Sequence, residues 1–337
     1  MRYLMILLVL LLAVPALAVT ELNWYVNTSE DGSGDDGTSA APYDSLAACV
    51  AAKAINMSAD DGYKVTIHLA GTTSDTTIVD FAGWTGGTAT TYLTVVVDDP
   101  HSGVWTNDKY HMVTSVAAPV LTNLPAYTVI RGLQIDSAQA GIKIPYDHCT
   151  IDRCLVKHTV YGIFTSPTDG QGLADYTTIV NCVVTGGSRG IYFDDQCTSN
   201  KIVHCTVGNT SAYGVYLDPY SSVTVTNSYA GGTATADYGK GLYATYTMSY
   251  SYSEDGSEST PTAAFSTDTF VNVTSGSEDF HLVLGSTLIG AGADAAALMD
   301  PDVDIDGDTR PIDTTWDVGV DEYGQVDTGT SVLLLVQ

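Results

Sequence analysis

Apolar positions along this chain recur in short β-branched runs, not with a helical period. Five related segments stand out: Val129-Ile-Arg-Gly-Leu-Gln-Ile135, Thr150-Ile-Asp-Arg-Cys-Leu-Val156, Thr178-Ile-Val-Asn-Cys-Val-Val184, Lys201-Ile-Val-His-Cys-Thr-Val207 and Val223-Thr-Val-Thr-Asn-Ser-Tyr229. Each of the first four is followed by a glycine and a second strand: Gly141-Ile-Lys-Ile144, Gly162-Ile-Phe-Thr165, Gly190-Ile-Tyr-Phe193 and Gly214-Val-Tyr-Leu217, with a looser fifth match at Gly241-Leu-Tyr-Ala244. A period of about 22 to 28 residues with several short strands per unit describes coils that cannot bury their apolar side alone and must stack. The expectation is an all-β fold, a parallel β-helix solenoid.

Stacked coils lie ~4.8 Å apart, so equivalent residues form columns. Gly132, Cys154, Cys182, Cys205 and Ser228 align as a column of small residues. Cysteine behaves there as a small buried hydrophobe, and in-register neighbours at sheet spacing stand too far apart for a disulfide. Stacked free thiols are expected, with Cys149 and Cys197 outside the column and open to being paired or free. Ahead of the repeats, Tyr43 to Ile55 has the composition of a helix, with Asp44 or Ser45 as N-cap. Laid across the open end of the first coil, it would shield unpaired strand edges.

Residues 1–18 carry Arg2, an apolar run from Leu4 to Leu12 and a small-residue ending at Ala16-Leu-Ala18, the pattern of a secretory signal peptide. No later segment has the ~20 consecutive apolar residues of a membrane span, so no transmembrane segment is expected in the mature chain. The organisation read from the chain is a signal peptide at 1–18, an N-terminal cap and first coils at 19–124, central coils at 125–250, and C-terminal coils with an acidic cap at 251–337. The formal charge of −27 argues against nucleic acid and anionic membranes as partners. The charge is uneven, because residues 125–245 hold seven bases against nine acids.

Trp24-Tyr-Val-Asn27, Asp35-Asp-Gly-Thr-Ser39 and the Ala-rich helix resemble the N-terminal part of exported pectin-lyase-like right-handed parallel β-helix proteins. Phe280-His-Leu-Val-Leu-Gly-Ser286, Gly290-Ala-Gly-Ala-Asp294, Asp304-Ile-Asp-Gly-Asp-Thr-Arg-Pro311 and Asp317-Val-Gly-Val-Asp-Glu-Tyr323 resemble the end of choice-of-anchor bacterial surface β-helix proteins. The resemblance implies a secreted, extracellular or cell-surface solenoid with an interest in extended polysaccharide. It leaves the activity open between lyase, glycoside hydrolase and a non-catalytic adhesin-like or structural protein, because the fold hosts all of these. No Gly-His-Gly or Arg-x-Lys motif of the polygalacturonase kind is present, nor an Arg-centred pectate-lyase-like motif.

Strand alternation sends the residue after each inward Ile or Val outward. That column reads Lys143, Phe164, Tyr192, Tyr216 and Tyr243, a candidate flat track for sugar rings, and also a pattern that stacked strands adopt for stability. Two residues on, Pro145, Ser166, Asp194, Asp218 and Thr245 follow, with Asp195 beside them. Asp194, Asp195 and Asp218 are the candidate catalytic carboxylates of a glycosidase. With Ca²⁺ and Lys201 or Arg189 as base, they become candidates for uronate proton abstraction. His158, His204, Lys157 and Arg153 read equally as bend or solvent-facing residues. A second acidic set, Asp302, Asp304, Asp306, Asp308 and Asp313, reproduces EF-type calcium spacing around Gly307, or alternatively a cap in which Asp306 and Asp308 pair with Arg310. Ca²⁺ is thus a candidate ligand, and no organic cofactor is implied.

Overall fold

The computed structural model describes residues 19–30, 34–58, 62–166, 174–296, 303–312 and 314–324. The proposed signal peptide and the apolar segment Val332 to Val336 lie outside the described residues, as do Asp302 and Asp313. The described chain winds through three parallel sheets of nine, seven and seven strands, entered in the same order on each coil. In the central coils a strand such as Thr150–Asp152 in sheet one leads to Leu155–His158 in sheet two and Tyr161–Thr165 in sheet three.

Each sheet contributes an aliphatic file to the core. Ile67, Val95, Ile130, Ile151, Ile179, Ile202, Val225 and Met248 are in register along sheet one. Met112, Ile135, Val156, Val184, Val207 and Ala230 line sheet two, and Leu121, Ile142, Ile163, Ile191, Val215 and Tyr238 line sheet three. β-Branched side chains suit such files because they pack on a pleated surface in few rotamers.

Two kinds of bend fold each repeat. The seven-residue core segments are not single strands, because the chain turns with positive φ at their fourth residue, Gly132, Arg153, Asn181 and His204, and at Asn227 in the last segment, whose true register begins at Thr224. This places Leu133, not Gly132, at the level of the cysteine file, since Val129 pairs with Thr150. The six cysteines are free and buried, the column thiols as expected and Cys49, Cys149 and Cys197 as a finding of the structure, and the Cys154, Cys182 and Cys205 thiols donate to the carbonyls of Asp152, Val180 and Val203.

The repeated glycine before sheet three has a different cause. A Cβ on Gly141, Gly162, Gly190 or Gly214 would lie 2.6, 2.6, 2.7 or 2.7 Å from the carbonyl oxygen of the next coil. The last coil has no such neighbour, and Asp237 occupies the glycine position there. The fifth match at Gly241 was therefore misaligned. Its strand is Ala236–Lys240, with Tyr238 inward and Gly239 in register with Tyr216. Leu242, expected inward, is 74% exposed.

The helix forms at Leu46–Lys53 with Ser45 as N-cap, and its Leu46, Cys49 and Val50 join the core at the N-terminal end. At the other end, among the described residues, the last strand of sheet two is Tyr252–Ser253, to which Thr262 adds a parallel bridge. The following chain folds back along the outside of sheet two. There Phe270, Phe280, Leu282, Leu288, Val318 and Val320 cover the outward Leu155 and Val183 in a second apolar cluster. Lys157 lies beneath this flap, its Nζ bonded to the Gly276 carbonyl.

Candidate functional site

The outward file of sheet three is Lys143, Phe164, Tyr192 and Tyr216 in strict register. It is not an open track. Phe164 and Tyr192 are only 8% and 9% exposed, because a neighbouring file, Tyr161, Arg189 and Tyr213, closes over them. The Arg189 guanidinium carbon lies 4.8 Å from the Tyr192 ring centre, 4.4 Å from Tyr216 and 5.7 Å from Tyr161, a cation held on three ring faces.

Of the three candidate carboxylates, the structure brings Asp194 and Asp218 together and leaves Asp195 apart. The Tyr192 hydroxyl stands 3.2 Å from Asp194 Oδ1 and also contacts Asp218 Oδ2. Burial, then the bond to Asp218, holds the Tyr192 phenol well above its ordinary pKa, so it is a proton donor between two acceptors. Asp195 is exposed and accepts from Gln196. Lys201 stands on sheet one, between Thr178 and Thr224, and Thr245 pairs with Ser222 on that same sheet. Neither joins the acids.

Tyr243 belongs instead to the corner where the chain passes from sheet three back to sheet one. Here Tyr127, His148 and Tyr176 stack coil on coil, with ring centres 4.3 and 4.8 Å apart, and Tyr220 stacks on Tyr243 at 5.2 Å. Tyr176, Tyr220 and Tyr243 are 55%, 57% and 73% exposed. All five residues have φ between 55° and 62°, a left-handed conformation that favours Gly, Asn and Asp and costs a bulky residue energy. Inter-coil bonds hold it, such as Tyr127 N–H to the Asp147 carbonyl and His148 N–H to that of Asp175. Three of these five aromatics are thus set against local preference and left in solvent. The sequence signal was an aromatic ring two residues before Val129, Thr150, Thr178, Ser222 and Thr245, each at or beside a strand start.

The acidic loop near the C-terminus gathers Asp304, Asp306 and Asp308 within 4.8 Å, and His281, Asp306 and Asp321 likewise. Protein groups already use most of these oxygens. Asp304 is buried and accepts from the N–H groups of Asp306, Asp308 and Glu322. His281 bridges Asp279 and Asp306. Burial opposes its charge, but those two carboxylates outweigh burial and raise its pKa to about 11. Arg310 pairs with Glu322 at 3.0 Å, not with Asp306 or Asp308. Among the undecided basic residues, Arg153 and His204 are bend residues, His204 packs on Trp316, and His158 is buried with its Nε2–H donating to the Arg189 carbonyl.

Residues 122–255 match the family model described as a right-handed β-helix region. No curated protein matches the sequence. The crystal structure of pectate lyase Pel9A aligns with a TM-score of 0.49 at 15% identity, covering 91% of this chain and 98% of that one, a likeness too slight to bear on activity. With three parallel sheets wound in sequence order and the family match across the central coils, this chain is a right-handed parallel β-helix.

Proposed function

We propose that this chain is an exported or cell-surface protein that binds an extended polysaccharide along the corner ladder of Tyr127, His148, Tyr176, Tyr220 and Tyr243. The observation carrying the reading is two ring stacks at coil spacing, Tyr127–His148–Tyr176 and Tyr220–Tyr243, separated by one coil at Ser199 and with Tyr176, Tyr220 and Tyr243 exposed, since pyranose rings present apolar C–H faces that lie on such rings. Affinity electrophoresis through gels containing neutral and acidic polysaccharides tests it: retardation by at least one glycan is expected, and it is expected to vanish in a Tyr127→Ala, Tyr176→Ala double variant. Migration unchanged in every gel would leave a structural or adhesin-like solenoid.

A second reading, glycoside hydrolysis, is favoured by one observation, the approach of Asp194 and Asp218 around one phenol, since a glycosidase works with two facing carboxyl groups. Release of reducing ends, abolished by Asp218→Asn, would establish it. The lyase route lacks support, because Arg189 lies on ring faces and Lys201 on another sheet. We read the acidic loop as a cap, since Asp304 and Asp306 already have backbone and His281 partners. A melting temperature unaffected by EDTA or added Ca²⁺ is expected, and a rise with Ca²⁺ would make the loop a metal site.

A further inference from the structure

A cavity of about 390 Å³ opens at the same corner, and its lining residue Ala126 directly precedes Tyr127, the first ring of the ladder. Three successive corner loops line it: Trp84, Thr85 and Gly87 from the first, Asn123 and Ala126 from the second, and Tyr146 from the third. Its walls are fixed. The Trp84 Nε1–H donates to the Val50 carbonyl at 3.0 Å, and the ring packs edgewise on Trp24 and Phe81. Gly87 sits so close to the second loop that a Cβ would lie 1.9 Å from the Ala126 oxygen. The Asn123 amide is tied to Asp80 at 2.8 Å. A preformed recess with an apolar wall and a few hydroxyl and amide groups is the usual form of a small-ligand site, and this volume lies near the small end of the range of roughly 300–1,000 Å³.

The lining contains no charged side chain. Carboxylates stand nearby along the corner, with Asp147 and Asp175 each accepting a backbone N–H from the next coil. An anionic sugar would meet the Asp80 carboxylate held by the lining Asn123 and no basic partner in the lining, whereas an uncharged sugar can offer its hydroxyl groups to Thr85, Asn123 and Tyr146. We infer that the cavity is a subsite for about one or two uncharged sugar units of the glycan held by the ladder. This rests on the binding reading above and adds to it a location and a charge class.

Calorimetric titration of the full chain with cellohexaose, mannohexaose and xylohexaose, and with hexagalacturonate as the acidic probe, tests the inference. At least one neutral hexasaccharide is expected to bind. Thr85→Trp, which plugs the recess from an exposed loop position, is expected to weaken that binding about tenfold or more. Asn123→Gly, which keeps the left-handed backbone accessible, is expected to weaken it by about threefold, with melting temperatures unchanged in both. Neutral binding that falls in Tyr176→Ala but ignores Thr85→Trp and Asn123→Gly would overturn the cavity and leave the ladder standing. Hexagalacturonate binding as tightly as the neutral probes would overturn the charge class. No binding of any probe would overturn cavity and ladder together.

Discussion

Two sets of aromatic rings run along neighbouring coils and have opposite fates. On sheet three, Tyr192 and Phe164 are packed under Tyr161 and Arg189. A few residues further on, Tyr176, Tyr220 and Tyr243 stand in solvent. Ring-on-ring spacing is set by the coil rise in both cases, so stacking alone does not distinguish a brace from a binding surface. What crosses the rings decides. Sheet three carries a second outward file close enough to cover the first, whereas at the corner Tyr176, Tyr220 and Tyr243 are left bare.

The largest effect separating the two is expected from Gly190→Val. Its branched side chain would begin 2.7 Å from the Gly214 oxygen and 2.3 Å from a Val207 methyl, and forcing the coils apart should cost about 3 kcal/mol. Chemical denaturation checks this, and a loss below about 1 kcal/mol would show coils looser than the packing of the sheet-three file requires.

Acid should then act on the packed file through His158, which supports the Arg189 carbonyl. Burial lowers its pKa from 6.5 to about 4. Between those values the unfolded chain binds the proton and the folded chain does not. This group's contribution to stability is therefore intact above pH 6.5 and declines as pH falls toward 4, by about 2 kcal/mol at pH 5. His158→Gln should flatten that part of the stability profile relative to the parent, measured by urea unfolding at pH 7 and pH 5. A parallel decline in parent and variant would remove His158 as its source.

Arg189→Ala uncovers Tyr192 and Tyr216 and should cost about 1 kcal/mol, while raising quenching of tyrosine emission by iodide. Smallest in stability is Tyr176→Ala, expected within about 0.5 kcal/mol of the parent yet lowering glycan affinity about tenfold. If it destabilised as much as Arg189→Ala without touching binding, the two files would be alike and the corner only another brace.

The coil repeat, the inward aliphatic files and the stacked free thiols were legible because period and alternation follow directly from stacking. The fifth coil was not. The repeat glycine exists only to admit the carbonyl of a following coil, so the last coil drops it and a chance Gly241 took its place in the alignment. The candidate acids were found as a pair, but Lys201 and Tyr243 were assigned to the wrong face, since a single slipped register or an unseen bend moves a side chain to another side of the solenoid. Likewise the DxDGD spacing identified a carboxylate cluster correctly but could not reveal that backbone N–H groups and His281 take up its oxygens.

What the sequence determined by itself was thus the periodic part of the molecule: an all-β solenoid, its inward files and its capping helix. The tertiary structure alone decided which rings are covered, which acids meet and where a cavity opens, because those properties depend on contacts between residues tens of positions apart, on turns whose left-handed residues do not announce themselves, and on a C-terminal flap that closes over one sheet and leaves the corner free.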